Sequence, residues 1–214
     1  SQVCNLSCAY CYANEGSFGY NLKGNTFMDF ETAKKAVNLG IDLGNNHVSF
    51  YGGEPLLNFS LIRKIVDLYD DLDYSLITNG TLITDEIADF IKNHDIQVTI
   101  SLDGPPLIHN LTRVYRNGRG SHDRVIQGIE KLIQKDIEVS IETTFSRRYS
   151  KEISFCDLLD YVSKLTKNLV VTPIVERGKA TAEDAVDEET YKTVLRKLID
   201  YILPRIEETK ESTV

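Results

Sequence analysis

The sequence is short of basic residues, of cysteines and of long apolar runs. Its 24 Lys and Arg stand against 32 Asp and Glu, a formal charge of −8 at pH 7. That balance excludes the basic patch or stripe with which a nucleic-acid binder meets phosphates, so no nucleic-acid partner is expected. No segment approaches the roughly 20 apolar residues of a membrane span, so no membrane partner is expected either. No signal-peptide pattern opens the residues given, and a cytoplasmic location is the expectation. No internal repeat or low-complexity tract is visible. Cysteine occurs four times, and three of the four, Cys4, Cys8 and Cys11, fall within eight residues. Disulfide frameworks of secreted domains spread their cysteines along the chain. A tight cluster reads instead as metal ligation in a reducing compartment.

What is present is an ordinary globular balance, 42% hydrophobic and 26% charged over 214 residues, enough chain for a core without covalent staples. Apolar spacing alternates between helical and strand periods along the chain. Helices are expected over 27–43, 60–71, 84–93 with Thr84 as N-cap, 121–135 with Ser121 as N-cap, 151–167 and 191–206. Strands are expected over 47–51, 74–77, 97–102, 137–143 and 169–172, short and β-branched as if covered on both faces. Repeated βα units imply an α/β fold with a parallel sheet and helical crossovers. Five units are visible. Adding one strand upstream of Cys4 gives a partial (β/α)6 barrel of the TIM type with outer helices, a doubly wound open sheet being the alternative.

In such a barrel the residues that follow each strand face the active site. Those segments are Gly52-Gly53-Glu54-Pro55, Thr78-Asn79-Gly80, Ser101-Leu102-Asp103-Gly104-Pro105 and Glu142-Thr143-Thr144. Two glycines let backbone approach a ligand closely, and a carboxylate beside them can accept from an ammonium group. Asp-Gly-Pro also suits a plain turn. The stretch Asn117-Gly118-Arg119-Gly120-Ser121 lacks the strand before it and the Lys-Ser/Thr ending of a phosphate loop, so it reads as a turn.

Cys4-Asn5-Leu6-Ser7-Cys8-Ala9-Tyr10-Cys11 has C-x3-C-x2-C spacing. A cubane takes four thiolates, so three from one loop leave one iron open, and an open position marks a centre that does chemistry. Zinc is the rival; it wants four ligands, and the only other thiol, Cys156, reads as a core cysteine of a helix. The triplet, with Tyr10 at its aromatic position, resembles the signature of the radical S-adenosylmethionine (SAM) superfamily. The GGEP, TNG and S-x-D-G-P segments resemble further motifs of that superfamily, in particular of SPASM-type maturases that modify ribosomally made, cysteine-rich peptides (ranthipeptide maturases). The opening Cys-Tyr-Ala-Asn-Glu-Gly-Ser-Phe-Gly adds to that likeness. The superfamily pattern continues as H-D-x-x-R, and here Asn110 replaces the acid in His109-Asn110-Leu111-Thr112-Arg113.

The resemblance implies a [4Fe–4S] cluster on Cys4, Cys8 and Cys11, with SAM chelating the open iron. It implies SAM contacts from Tyr10, Gly52, Gly53, Glu54, Pro55, Thr78, Asn79, Ser101, Asp103, Arg113 and Thr143. One electron from the cluster would cleave SAM to a 5′-deoxyadenosyl radical that takes hydrogen from a peptide or small-protein substrate. The expected outcome is a thioether or similar crosslink, and a low-potential flavodoxin or ferredoxin would supply the electron. Formylglycine formation of the sulfatase-maturase type and a non-catalytic zinc- or cluster-stabilised binding domain are the alternatives. No general base is identified. Because only three residues precede Cys4, residues 1–214 are expected to be the radical SAM core of a longer protein, with the first strand and a C-terminal cysteine-rich domain outside them.

Overall fold

The computed structural model describes residues 1–21, 26–149 and 152–211, with side chains to 205 except that of Tyr149. Among these residues the five strands are β1 (His47–Phe50), β2 (Asp73–Thr78), β3 (Gln97–Ser101), β4 (Val139–Phe145) and β5 (Asn168–Pro173). They form one sheet in the order β1-β2-β3-β4-β5, every pair parallel. Sequential order has no switch point, so right-handed crossovers place the helices on one side and leave the other side concave. This is the barrel arrangement and not the doubly wound one.

The helices are α1 (Phe30–Asp42), α2 (Phe59–Leu68), α3 (Asp85–Asn93), α4 (Pro106–Thr112), α5 (His122–Ile133), α6 (Phe155–Ser163) and α7 (Glu188–Glu211). Thr84 caps α3 as expected, its hydroxyl accepting from Ile87 N–H at 3.2 Å. Ser121 stands at the N-cap of α5 but makes no side-chain cap. Its hydroxyl donates to Arg113 O at 2.7 Å, and Asn110 Oδ1 accepts from His122 N–H at 3.1 Å instead. Asn110 thus caps α5 from outside the helix, a role that an aspartate oxygen would fill equally. Helix α6 starts four residues later than expected, where Ser154 accepts from Asp157 N–H at 3.1 Å. The first residue of the expected helix, Lys151, lies outside the described residues. Helix α7 continues past 206 to Glu211, through Pro204. Helix α4 was not expected; seven residues are too few to show a period.

The strands are not covered alike on both faces. Burial alternates along β2, β3 and β4. Strand register puts Leu76, Val98 and Val139 in one row and Ile100 with Ile141 in the next, all buried under the helices. Ile129, Leu132 and Leu158 complete that core. The opposite parity carries Ser75, Thr99, Ser101, Ser140, Glu142, Thr144 and Thr172, a polar lumen. Ahead of the cysteines, Ser1–Val3 runs beside the end of β1. Gly53 N–H donates to Ser1 O and Glu54 N–H to Val3 O, each at 2.8 Å.

Candidate active site

The loop 4–16 crosses the C-terminal ends of the strands. Leu6, in the middle of the triplet, is buried and forms a bridge with Tyr115. Ser7 N–H donates to Val114 O at 2.7 Å and Ala9 N–H to Thr112 O at 2.9 Å. These bonds fix the loop against the α4–α5 connection. Cys4, Cys8 and Cys11, all unpaired, line a cavity of about 330 Å³. Tyr10, Gly52, Gly53, Thr78, Asn79, Ser101 and Arg113 line the same cavity, as do Glu142, Thr144 and Thr172 of the lumen. Burial pushes the Cys8 thiol up to about 12 and raises Cys4 as well, so both favour the neutral thiol when nothing cationic binds them. Cys4 Sγ accepts from Leu6 N–H at 3.4 Å and from Asn79 Nδ2 at 3.7 Å, and Cys11 Sγ from Glu15 N–H at 3.1 Å.

The Thr78-Asn79-Gly80 turn grips the cysteine loop. Asn79 Nδ2 donates to Asn5 Oδ1 at 2.9 Å, and Asn5 Nδ2 to Thr81 Oγ1 at 2.8 Å. Glu54 is fully buried behind this turn. Its carboxylate accepts from Thr78 Oγ1 at 2.7 Å, Asn79 N–H at 2.9 Å and Leu56 N–H at 3.0 Å. Burial raises its pKa, opposed by those three bonds. Pro55 opens the 3-10 turn that Glu54 caps. The glycines line the cavity and also lie against the chain's own N-terminal segment. A Cβ at Gly52 would stand 2.3 Å from Ser1 O, and one at Gly53 2.2 Å from Val3 O. Their smallness admits the chain's own N-terminal segment.

Asp103 is fully buried and gathers donors from three segments. Its Oδ2 accepts from the Tyr10 hydroxyl in a short bond and from Thr112 Oγ1 at 3.1 Å; its Oδ1 accepts from Thr144 N–H at 3.1 Å. Arg113 Nε lies 3.0 Å from Oδ1 as an ion pair, although its N–H is not aimed at that oxygen. The Arg113 guanidinium also donates to Thr144 Oγ1 at 3.1 Å and sits 5.4 Å from the Tyr10 ring centre. Below it, His109 Nδ1 accepts from Asp103 N–H at 3.3 Å and its Nε2 meets Ser121 Oγ at 2.9 Å. The Ser121 proton is already given to Arg113 O, so His109 is the neutral Nε2–H tautomer. Burial holds its pKa down to about 3.

Thr143 does not face the cavity. Its hydroxyl donates to Leu102 O at 2.9 Å on the helix side of the sheet, while Glu142 and Thr144 line the cavity. Strand parity, read from the apolar Val139 and Ile141, distinguishes these neighbours. Cys156 is exposed, since the buried stripe of α6 is Phe155, Leu158, Leu159 and Val162. It belongs neither to the core nor to the thiol loop. Residues not anticipated from sequence are Tyr12 and Tyr51, whose hydroxyls bond at the cavity mouth, and Arg177 beyond β5. Nothing in their spacing signalled them.

Fold and site together define a partial parallel barrel with a three-thiol loop over its strand ends. The chain belongs to the radical SAM superfamily, whose family model matches residues 1–153. That superfamily is one of enzymes that use a [4Fe–4S] cluster and S-adenosylmethionine. An uncharacterized protein of Methanocaldococcus jannaschii is 42% identical over 152 residues, 68% of this chain and 50% of its own. A cysteine-type anaerobic sulfatase-maturating enzyme of Clostridium perfringens is 28% identical over 94% of this chain and 58% of its own. The solved structure of native anSMEcpe with bound AdoMet and Kp18Cys peptide superposes with a TM-score of 0.78 at 28% identity, over 94% of this chain and 57% of that one. The chain therefore spans little more than half the length of these relatives.

Proposed function

We propose that this chain is the SAM-cleaving core of a peptide-modifying radical enzyme, in which Cys4, Cys8 and Cys11 hold a [4Fe–4S] cluster. The observation that carries the reading is the convergence of three free thiols on one cavity walled by strand-end polar groups. Three free thiols on one cavity fit a cubane that keeps one iron open for a ligand. Cys156 is also too exposed and remote to serve as a fourth zinc ligand.

When bound, the cluster and SAM supply the hydrogen-abstracting radical. The chain's own residues bind and orient. Thr78, Asn79, Ser101 and Arg113 line the cavity; Thr78 and Asn79 brace the cysteine loop through Glu54 and Asn5, and the Arg113 guanidinium, paired with Asp103, supplies the cationic wall. Tyr10 joins the cysteine loop to Asp103. Gly52, Gly53, Glu54 and Pro55 shape the β1 end, and Asp103 aims Arg113.

The peptide substrate is supported by the maturase relative and by the peptide-bound neighbour. Crosslink formation is the reading carried from the maturase-like cysteine opening, and formylglycine formation is favoured by the sulfatase-maturating relative. A flavodoxin- or ferredoxin-type donor and a cytoplasmic setting suit its free thiols. Among the described residues no helix is long and apolar enough to cross a membrane.

Anaerobically purified protein is expected to be brown, to carry about four iron and four sulfide per chain, and to cleave SAM when reduced. A colourless protein that binds one zinc would refute the reading. With a cysteine-containing peptide, product mass separates the two chemistries: a thioether crosslink keeps every sulfur atom, and formylglycine made from cysteine loses one.

A further inference from the structure

Glu15 sits four residues past the third cysteine with a backbone φ of 60°, a left-handed conformation unfavourable for a side chain of its size. In that conformation its N–H points at Cys11 Sγ, 3.1 Å away. Three segments hold it there. Its carboxylate accepts from Ser7 Oγ at 2.8 Å, from Arg116 at 2.9 and 3.1 Å, and from Lys179 Nζ in a short bond. Lys179 adds a bond to Ser7 Oγ at 3.1 Å, and its backbone N–H donates to Cys11 O at 3.0 Å. Gly178, at φ +66°, makes that approach possible, because a Cβ there would meet Tyr12 O at 2.4 Å and Cys11 O at 2.5 Å.

We infer that Lys179 and Glu15 are positioning residues for the third cluster thiolate: the segment after β5 clamps the cysteine loop through the Glu15 carboxylate and so aims the Glu15 N–H at Cys11 Sγ. The inference rests on the cluster assignment proposed above. Hydrogen bonds to the sulfurs are one of the levers that set a cluster's potential. A chain segment that crosses from the last strand to the ligand loop also keeps the loop from opening. In this role both residues act through Cys11.

The test compares anaerobically reconstituted wild type with Lys179→Met, Lys179→Arg and Glu15→Gln. The readouts are iron and sulfide content, the rate of iron loss to a chelator, and the midpoint potential from an EPR-monitored titration. Far-UV circular dichroism checks folding. Lys179→Met and Glu15→Gln are expected to lose iron at least tenfold faster and to titrate at a lower potential, and Lys179→Arg to recover most of both. A Lys179→Met protein with wild-type iron loss and potential overturns the clamp and leaves the cluster assignment standing. A wild type that takes up no cluster overturns both. If Lys179→Met unfolds, Gly178→Ala reads the same contact from the backbone side, and unchanged iron loss there overturns the clamp.

Discussion

Asp103 shows how much one side chain can organise. It takes donors from the cysteine loop, from the end of α4 and from β4, and it neutralises Arg113 inside the protein. Removing one member of a buried ion pair leaves the other charge uncompensated, which typically costs about 3–5 kcal/mol. Asp103→Ala is expected to destabilise by that amount in urea unfolding, and Asp103→Asn by less, because the amide still accepts. A glycine makes the complementary case. A Cβ at Gly128 would stand 2.4 Å from Gly80 O, where α5 lies against the turn after β2. Gly128→Ala is expected to lower stability by about 1–3 kcal/mol through overpacking, read from the denaturant midpoint.

At the level of elements, the starts of α1, α3 and α6 are capped by the side chain at the N-cap, Asp29, Thr84 and Ser154. Thr84→Ala removes the hydroxyl that accepts from Ile87 N–H and is expected to cost about 1 kcal/mol, with the m-value unchanged. The βα alternation and the thiol loop are legible in the sequence because they rest on local periods and spacings, whereas the strand order that excludes a doubly wound sheet is a tertiary property. What the sequence left open has physical reasons. Ser121 sits at a cap position, but its hydroxyl is turned towards Arg113 O and His109 Nε2, and Asn110 Oδ1 takes the His122 N–H instead. Gly52 and Gly53 signal a close approach without saying of what, and the approaching group is Ser1–Val3. Glu142, Thr143 and Thr144 are all polar, and only strand parity separates Thr143, on the helix side, from the two that line the cavity. Lys179 and Glu15 are 164 residues apart, and no local pattern couples them.

For the molecule as a whole, His109 ties acid stability to the site. Its folded pKa is held at about 3 by burial, with Arg113 and His122 pushing the same way and Asp103 opposing, against an ordinary value of 6.5. The unfolded chain therefore binds a proton that the folded chain refuses. The stabilising contribution is full above about pH 6.5 and is lost as pH falls towards 3, at roughly 1.4 kcal/mol per pH unit. Urea midpoints from pH 7 to pH 4 are expected to fall more steeply for wild type than for His109→Gln. Equal slopes would show that this imidazole carries no linkage.

The contact between Lys179 and Glu15 also sets an order of events in time. A ribosome adding roughly 5–20 residues per second needs about 10–30 s to travel the 164 residues between them. Throughout that interval the three thiols exist on a loop whose last fastening has not yet been made. Under the proposed cluster assignment, loading the loop with iron and sulfide then waits for the segment that follows the fifth strand, and the nascent cysteines stay reduced until it has arrived.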